Sequence, residues 1–132
     1  MAALVDTSVL IDAERGAVDF GGLVASYGAE PIAVAAVTAA ELLHGVQRLR
    51  GIKRARAEQF VEAVLELLPV QPFDLQAARV HAALSVELAE RGTPVGPHDL
   101  LIAATAVSLG YDVATRDLRS FPKVRGLKVL RW

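Results

Sequence analysis

Four acids stand where the chain passes from one kind of segment to the next. Asp6 ends the short apolar run Ala2-Ala3-Leu4-Val5, and Asp117 lies just past the run 111–115, in Thr115-Arg116-Asp117. Glu41 and Asp99 fall in the first turns of two expected helices, each entered from a loop. Carboxylates packed together repel one another and resist ionisation, so a cluster needs a proton, an arginine or a metal to offset it. Oxygen donors of this hardness select Mg2+ or Mn2+, which commonly sit between a few carboxylates, waters and a phosphate. The chain has no Cys, and no two of its His stand at ligand spacing, so zinc is disfavoured.

Each acid also has a plain structural explanation. Asp6 can end a strand and cap a helix. Glu41 follows Thr38 at the spacing of a capping box. Asp99, after Pro97, complements a helix dipole, and Asp117 suits a turn. Singly none is persuasive, and the case for a site rests on their joint placement. Glu58, Glu62, Glu66, Glu87 and Glu90 fall on solvated helix faces and need no function.

The elements that must position these acids alternate along the chain. Strands are expected at 2–5, 31–34, 69–73, 111–115 and 127–130. Helices are expected at 9–14, 20–27, 38–51, 53–68, 74–91 and 99–109. Thr7 or Ser8 is the expected cap of the first helix and Asp74 of the fifth, and Gly92 and Gly110 are expected stops. No internal repeat, low-complexity tract or linker interrupts the pattern. It predicts one α/β domain over 1–132, with a mostly parallel central sheet flanked by helices. Such sheets bind ligands at the carboxyl ends of their strands, where the four acids are expected to converge.

The 132 residues suffice for one core, and 53% hydrophobic against 22% charged residues excludes a disordered tail. Lack of cysteine makes a reducing cytoplasm the default. No apolar stretch approaches the roughly 20 residues a membrane span needs, and Asp6, Asp12 and Glu14 break up any signal peptide. The net charge of −1 argues at first against nucleic acid. Resolved along the chain it reads differently: residues 48–56 carry +5, residues 116–131 carry +5, and the remainder carries −11. Each basic run is either ordinary solvated surface or a grip on RNA phosphates. Arg116 and Arg119, flanking Asp117, are the favoured phosphate contacts.

At the four acids the sequence resembles the PIN-domain family, and within it the VapC-type ribonuclease toxins of bacterial toxin–antitoxin modules. The resemblance is carried by Val5-Asp6-Thr7-Ser8-Val9-Leu10-Ile11-Asp12, by Val37-Thr38-Ala39-Ala40-Glu41-Leu42-Leu43-His44-Gly45, by Gly96-Pro97-His98-Asp99-Leu100-Leu101-Ile102-Ala103-Ala104, and by Thr115-Arg116-Asp117-Leu118-Arg119-Ser120-Phe121. It implies that Asp6, Glu41, Asp99 and Asp117 bind Mg2+ or Mn2+, and that Thr115 with Thr7 or Ser8 supports them through hydrogen bonds. It further implies a metal-dependent endoribonuclease, a homodimer, and a cognate VapB-type antitoxin that blocks the site. One position departs: many relatives carry another Asp where this chain has Arg119, which argues against a well-formed second metal site.

The expected chemistry is hydrolysis of an RNA phosphodiester by a metal-activated water, leaving a 5′-phosphate and a 3′-hydroxyl. Asp6 and Asp99 are the central ligands, and Glu41 and Asp117 bind directly or through water. His44 and His98 offer a competing metal-free route, disfavoured because they lie on separate segments. His44 is expected at a polar helix edge, His98 in a loop, and His81 on a surface or interface. The apolar pair of helices from 39 to 68 offers a groove for an antitoxin helix. Two other classes compete: a non-catalytic PIN scaffold that binds RNA or protein, and a metal-dependent phosphatase. The phosphatase type normally needs a second Asp where Ser8 stands, and no P-loop motif is present.

Overall fold

A computed structural model describes residues 2–132. Five strands, β1 (Ala3–Val5), β2 (Ile32–Ala35), β3 (Val70–Gln71), β4 (Asp112–Thr115) and β5 (Val129–Arg131), form one sheet in the order β3-β2-β1-β4-β5. Every neighbouring pair is parallel, with Leu4 opposite Ala33 on one side and Val113 on the other. Six helices connect them: α1 (Thr7–Glu14), α2 (Phe20–Tyr27), α3 (Ala36–Gln47), α4 (Gly51–Leu67), α5 (Leu75–Glu90) and α6 (Pro97–Leu109). The expected single α/β domain with a parallel sheet is therefore the fold observed.

The sheet separates two apolar layers, because successive strand residues face opposite sides. Leu4, Ala33, Ala35 and Val113 pack with Leu84 and Leu88 of α5, with Ile102 and Ala103 of α6, and with Phe121. Val5, Ile32 and Val34 pack on the other side with α1, α3 and α4 through Val9, Leu42, Val46, Val61 and Val64. A sheet covered on both faces needs near-continuous apolar strands, as in Ala3-Leu4-Val5 and Ile32-Ala33-Val34-Ala35, all buried.

The strand order fixes where a site can lie. Connections from β1 run outward through β2 to β3, whereas β4 and β5 lie on the other side of β1. The order reverses between β1 and β4, and open α/β sheets offer their crevice at the carboxyl ends of such strands. Asp6 follows β1 directly and Asp117 lies just beyond β4.

Several boundaries differ from expectation for local reasons. α3 begins at Ala36, two residues before Thr38, so Thr38 is a fully buried helix residue and caps nothing. The Thr38–Glu41 capping box does not form, and Glu41 lies beyond the first turn. α1 begins at Thr7 with Asp6 at the cap position, but the Asp6 carboxylate makes no cap bond. α6 begins at Pro97, which places His98 in the helix rather than a loop. The expected cap of α5 does form, since Asp74 Oδ1 accepts from Ala77 N at 2.9 Å. Gly110 closes α6 at φ 71°, a left-handed conformation suited to glycine.

Candidate metal and nucleic-acid site

Asp6 is the anchored member of the site. It is buried at the end of β1, and its N–H donates to Ala114 O of β4 at 2.8 Å. Oδ2 accepts from Ser8 Oγ at 2.7 Å and from Thr115 Oγ1 at 2.8 Å. Both hydroxyls are tied further: Arg116 N donates to Ser8 Oγ, and Asp117 N donates to Thr115 Oγ1. One oxygen thus takes both hydroxyl bonds and the carboxylate is fixed, leaving Oδ1 outside that network. Thr7, facing the other way, donates to Glu41 Oε1 at 3.0 Å and lies 3.5 Å from Thr38 Oγ1. Glu41 Oε2 lies 3.3 Å from His98 Nδ1.

Asp99 reports the convergence of the acids. Its pKa is raised above the ordinary value first by burial, then by the negative charges of Asp6, Asp117 and Glu41, while a hydrogen bond from Ser120 works the other way. Asp6, Asp117 and Glu41 thus each act on the charge of Asp99. They are not gathered into a ready ligand set: among the described residues, no three His, Cys, Asp or Glu side chains are arranged to hold a metal.

Asp117 is the member paired with an arginine. Arg119 Nε and Nη2 donate to its two oxygens at 2.9 and 2.8 Å, and Arg119 N donates to Oδ1 at 3.0 Å. These side-chain and backbone bonds hold the Asp117 carboxyl at about 2. Arg116 is also committed: Nε donates to Asp12 Oδ2 at 2.7 Å and Nη1 to the Trp132 backbone oxygen at 2.9 Å. The two arginines expected to grip phosphate thus serve, as the chain stands, to join α1, the β4 end and the β5 end, and to restrain Asp117. Sequence reasoning missed the Asp12–Arg116 pair and the His98–Glu41 contact. Only the position of Asp12, six residues after Asp6 on a short helix, gave any signal.

In donor type, though not in arrangement, the acids suit a divalent cation of the hard class. They offer carboxylate oxygens near the switch point, and the half-buried Asp99 is destabilised as an anion first by burial and then by its acidic neighbours. Beside the acids, a groove of about 380 Å³ runs between α1, α3 and α4, with Thr7 and Glu41 at one end, Ile11, Leu42 and Val46 along it, and Arg48 on its margin.

Fold and site together define a class, a parallel-sheet α/β domain with carboxylates at the reversal of strand order. The model of the PIN domain matches residues 3–127, and the chain belongs to that family. Among its relatives, "Ribonuclease VapC1" of Rickettsia felis is 35% identical over 131 residues, 98% of this chain and 96% of that protein. "tRNA(fMet)-specific endonuclease VapC" of Salmonella typhimurium is 36% identical over 99 residues, 75% of this chain and 74% of that protein. Among solved structures, the DNA-bound VapBC complex from Salmonella typhimurium contains a chain that superposes with a TM-score of 0.89 at 29% identity, covering 100% of this chain and 98% of that one. The resemblance read from the four motifs is thus confirmed, with relatives named as VapC ribonucleases and a structural neighbour in a VapBC complex.

Proposed function

We propose that this chain is a metal-dependent endoribonuclease, the VapC-type toxin of a toxin–antitoxin pair. The reading is supported first by the PIN-domain match and the ribonuclease names of the relatives, and then by the action of Asp6, Glu41 and Asp117 on the charge of Asp99 near the β1/β4 switch point. Asp6 and Asp99 would hold the cation, Mg2+ or Mn2+, with Glu41 and Asp117 joining directly or through water. When bound, such an ion lowers the pKa of water and neutralises charge at a phosphodiester.

The chain's own residues do the positioning. Thr115 and Ser8 fix the rotamer of Asp6, so no side-chain entropy need be lost there on loading. Thr7 does the same for Glu41. Arg119 pairs with Asp117, and its guanidinium can transfer to an RNA phosphate, because arginine grips either anion with the same fork. Arg116 can contact phosphate only by giving up Asp12 or Trp132.

The proposed partners are an RNA substrate and a VapB-type antitoxin, an amphipathic helix of which would lie in the groove between α1, α3 and α4. A homodimer in the cytoplasm completes the reading, and among the described residues no helix is long and apolar enough to cross a membrane. A second reading, a non-catalytic scaffold, draws on the closure of Asp117 upon Arg119.

Cleavage of structured RNA by the antitoxin-free chain separates the two. Cleavage should require Mg2+ or Mn2+, stop in EDTA, and fall at least about 100-fold in Asp6→Asn and Asp99→Asn, in keeping with the loss of a metal-ligand environment. Full cleavage by either variant would remove the ligand assignment, and absence of metal-dependent cleavage in the wild type would favour the scaffold.

A further inference from the structure

The structure sorts the two basic runs of the sequence, and it favours the one nearer the chain's middle. In the C-terminal run, Arg116, Arg119 and Arg125 face Asp12, Asp117 and Glu87, and Lys123 donates to Pro94 O. Lys128 precedes β5 at the amino-terminal edge of the sheet, away from the acids, and Arg131, exposed at the end of β5, is a single cation and not a cluster. At the α3–α4 corner, by contrast, Arg48, Arg50, Lys53 and Arg56 are exposed, and among the described residues none has a carboxylate partner. Arg54 alone is engaged, donating to Gln47 Oε1 at 3.1 Å.

These cations are placed against local preference. Arg50, Lys53 and Arg54 crowd the amino-terminal end of α4, where the helix dipole disfavours positive charge, and no acid lies in that first turn to offset them. Lys53 and Arg56 also stand three apart on one helix face, a like-charge neighbour pair. A local rule broken without an internal compensation points to a partner outside the chain.

The surroundings connect the corner to the acids. Lys53 and Arg56 line a groove with Leu49 and Phe60. That groove shares Glu14, Leu49 and Ala57 with the one that reaches Arg48 and Glu41. Glu14 is the acid along this path before Glu41, so cations outnumber it. We propose that the α3–α4 corner is the track for the RNA sugar-phosphate backbone, with Arg48, Lys53 and Arg56 neutralising successive phosphates and delivering the strand to the acidic end of the groove. The inference rests on the ribonuclease reading and extends it by naming the surface that holds substrate outside the cleavage point. The apolar floor suits a protein helix, whereas the unpaired cations suit a polyanion.

The test measures binding of a fluorescent RNA hairpin to the full chain in EDTA, from 50 to 200 mM salt. The triple variant Arg48→Gln, Lys53→Gln, Arg56→Gln should weaken binding at least about tenfold at the lower salt. It should also flatten the slope of log K against log salt by about 2–3, near 0.7–0.9 for each phosphate no longer neutralised. Arg79→Gln with Lys128→Gln, the same chemistry elsewhere on the surface, should change neither. Unchanged affinity and slope in the triple variant, or equal losses in the control pair, would overturn the track. So would a triple variant that binds RNA normally but fails to retain a co-expressed antitoxin, because the corner would then belong to the protein partner. Wild-type cleavage in Mg2+ is followed in parallel: if it is present while the triple variant binds normally, the track alone fails, and if wild type neither binds nor cuts RNA, the underlying reading fails.

Discussion

Arg119 stands two residues beyond Asp117, and its effect on that carboxylate is measurable. The bidentate pair and the backbone bond keep Asp117 ionised to about pH 2, so its contribution to stability is present above the unfolded carboxyl value and is lost as pH falls toward about 2. Arg119→Ala should return the Asp117 carboxyl toward 3.8, followed by carbon-detected NMR titration of the metal-free chain. The change in overall stability should be small, because exposed ion pairs contribute at most about 1 kcal/mol. An Asp117 carboxyl still at about 2 in that variant would assign the depression to another group. At this scale the sequence was informative about identity and poor about partners. Asp6 and Asp99 lie beside a strand end and a helix start as expected, whereas Glu41 lies beyond the first turn of α3. That Arg119 and Arg116 spend their forks on Asp117 and Asp12 was not legible, because pairing depends on which loops the fold brings within 3 Å.

Elements were legible wherever their ends carry local chemistry. Asp74 and Gly110 marked a start and a stop that the structure reproduces, since a side-chain cap and a left-handed glycine act within one turn. Asp74→Ala should therefore cost about 1 kcal/mol, read as a lowered urea midpoint with unchanged slope. RNA cleavage should be unaffected below the transition, because the Asp74 side chain bonds only the start of its own helix. A loss of activity without a loss of stability would place α5 in the site instead. The start of α3 departs from expectation for a physical reason. Thr38-x-x-Glu41 has the form of a capping box, but tertiary burial of Thr38 overrides it, and the helix runs back to Ala36. The box form also conceals why Glu41 is held as it is, by Thr7 from α1 and not by its own helix start.

For the whole molecule, a net charge of −1 conceals an uneven distribution, and the acidic end of the groove is where the fold stores repulsion. Asp99 shows this most directly: its raised pKa means that folding favours its neutral form more than the unfolded chain does. That contribution to stability is present below the unfolded carboxyl value and is lost as pH rises through the raised folded value, so at neutral pH the ionised group works against folding. Asp99→Asn removes that charge while keeping the shape, and should raise the melting temperature of the metal-free chain at pH 7 by up to a few degrees. The same carboxylate should be what lets the wild type gain from a cation. A ligand that binds only the native state stabilises by RT ln(1 + [L]/Kd), about 2.7 kcal/mol at one hundred times Kd. For a chain of this size that corresponds to a rise of roughly 10 °C in wild type on adding Mn2+, reversed by EDTA. Asp99→Asn should begin higher and rise far less, so the two melting curves should approach or cross as metal is added. If the variant rises as much as wild type, Asp99 is not a ligand, and if it begins lower, the half-buried carboxylate is stabilised by a contact other than the Ser120 bond. The site would then be one in which the acids are held together at a cost to the empty fold, a cost recovered when a cation arrives.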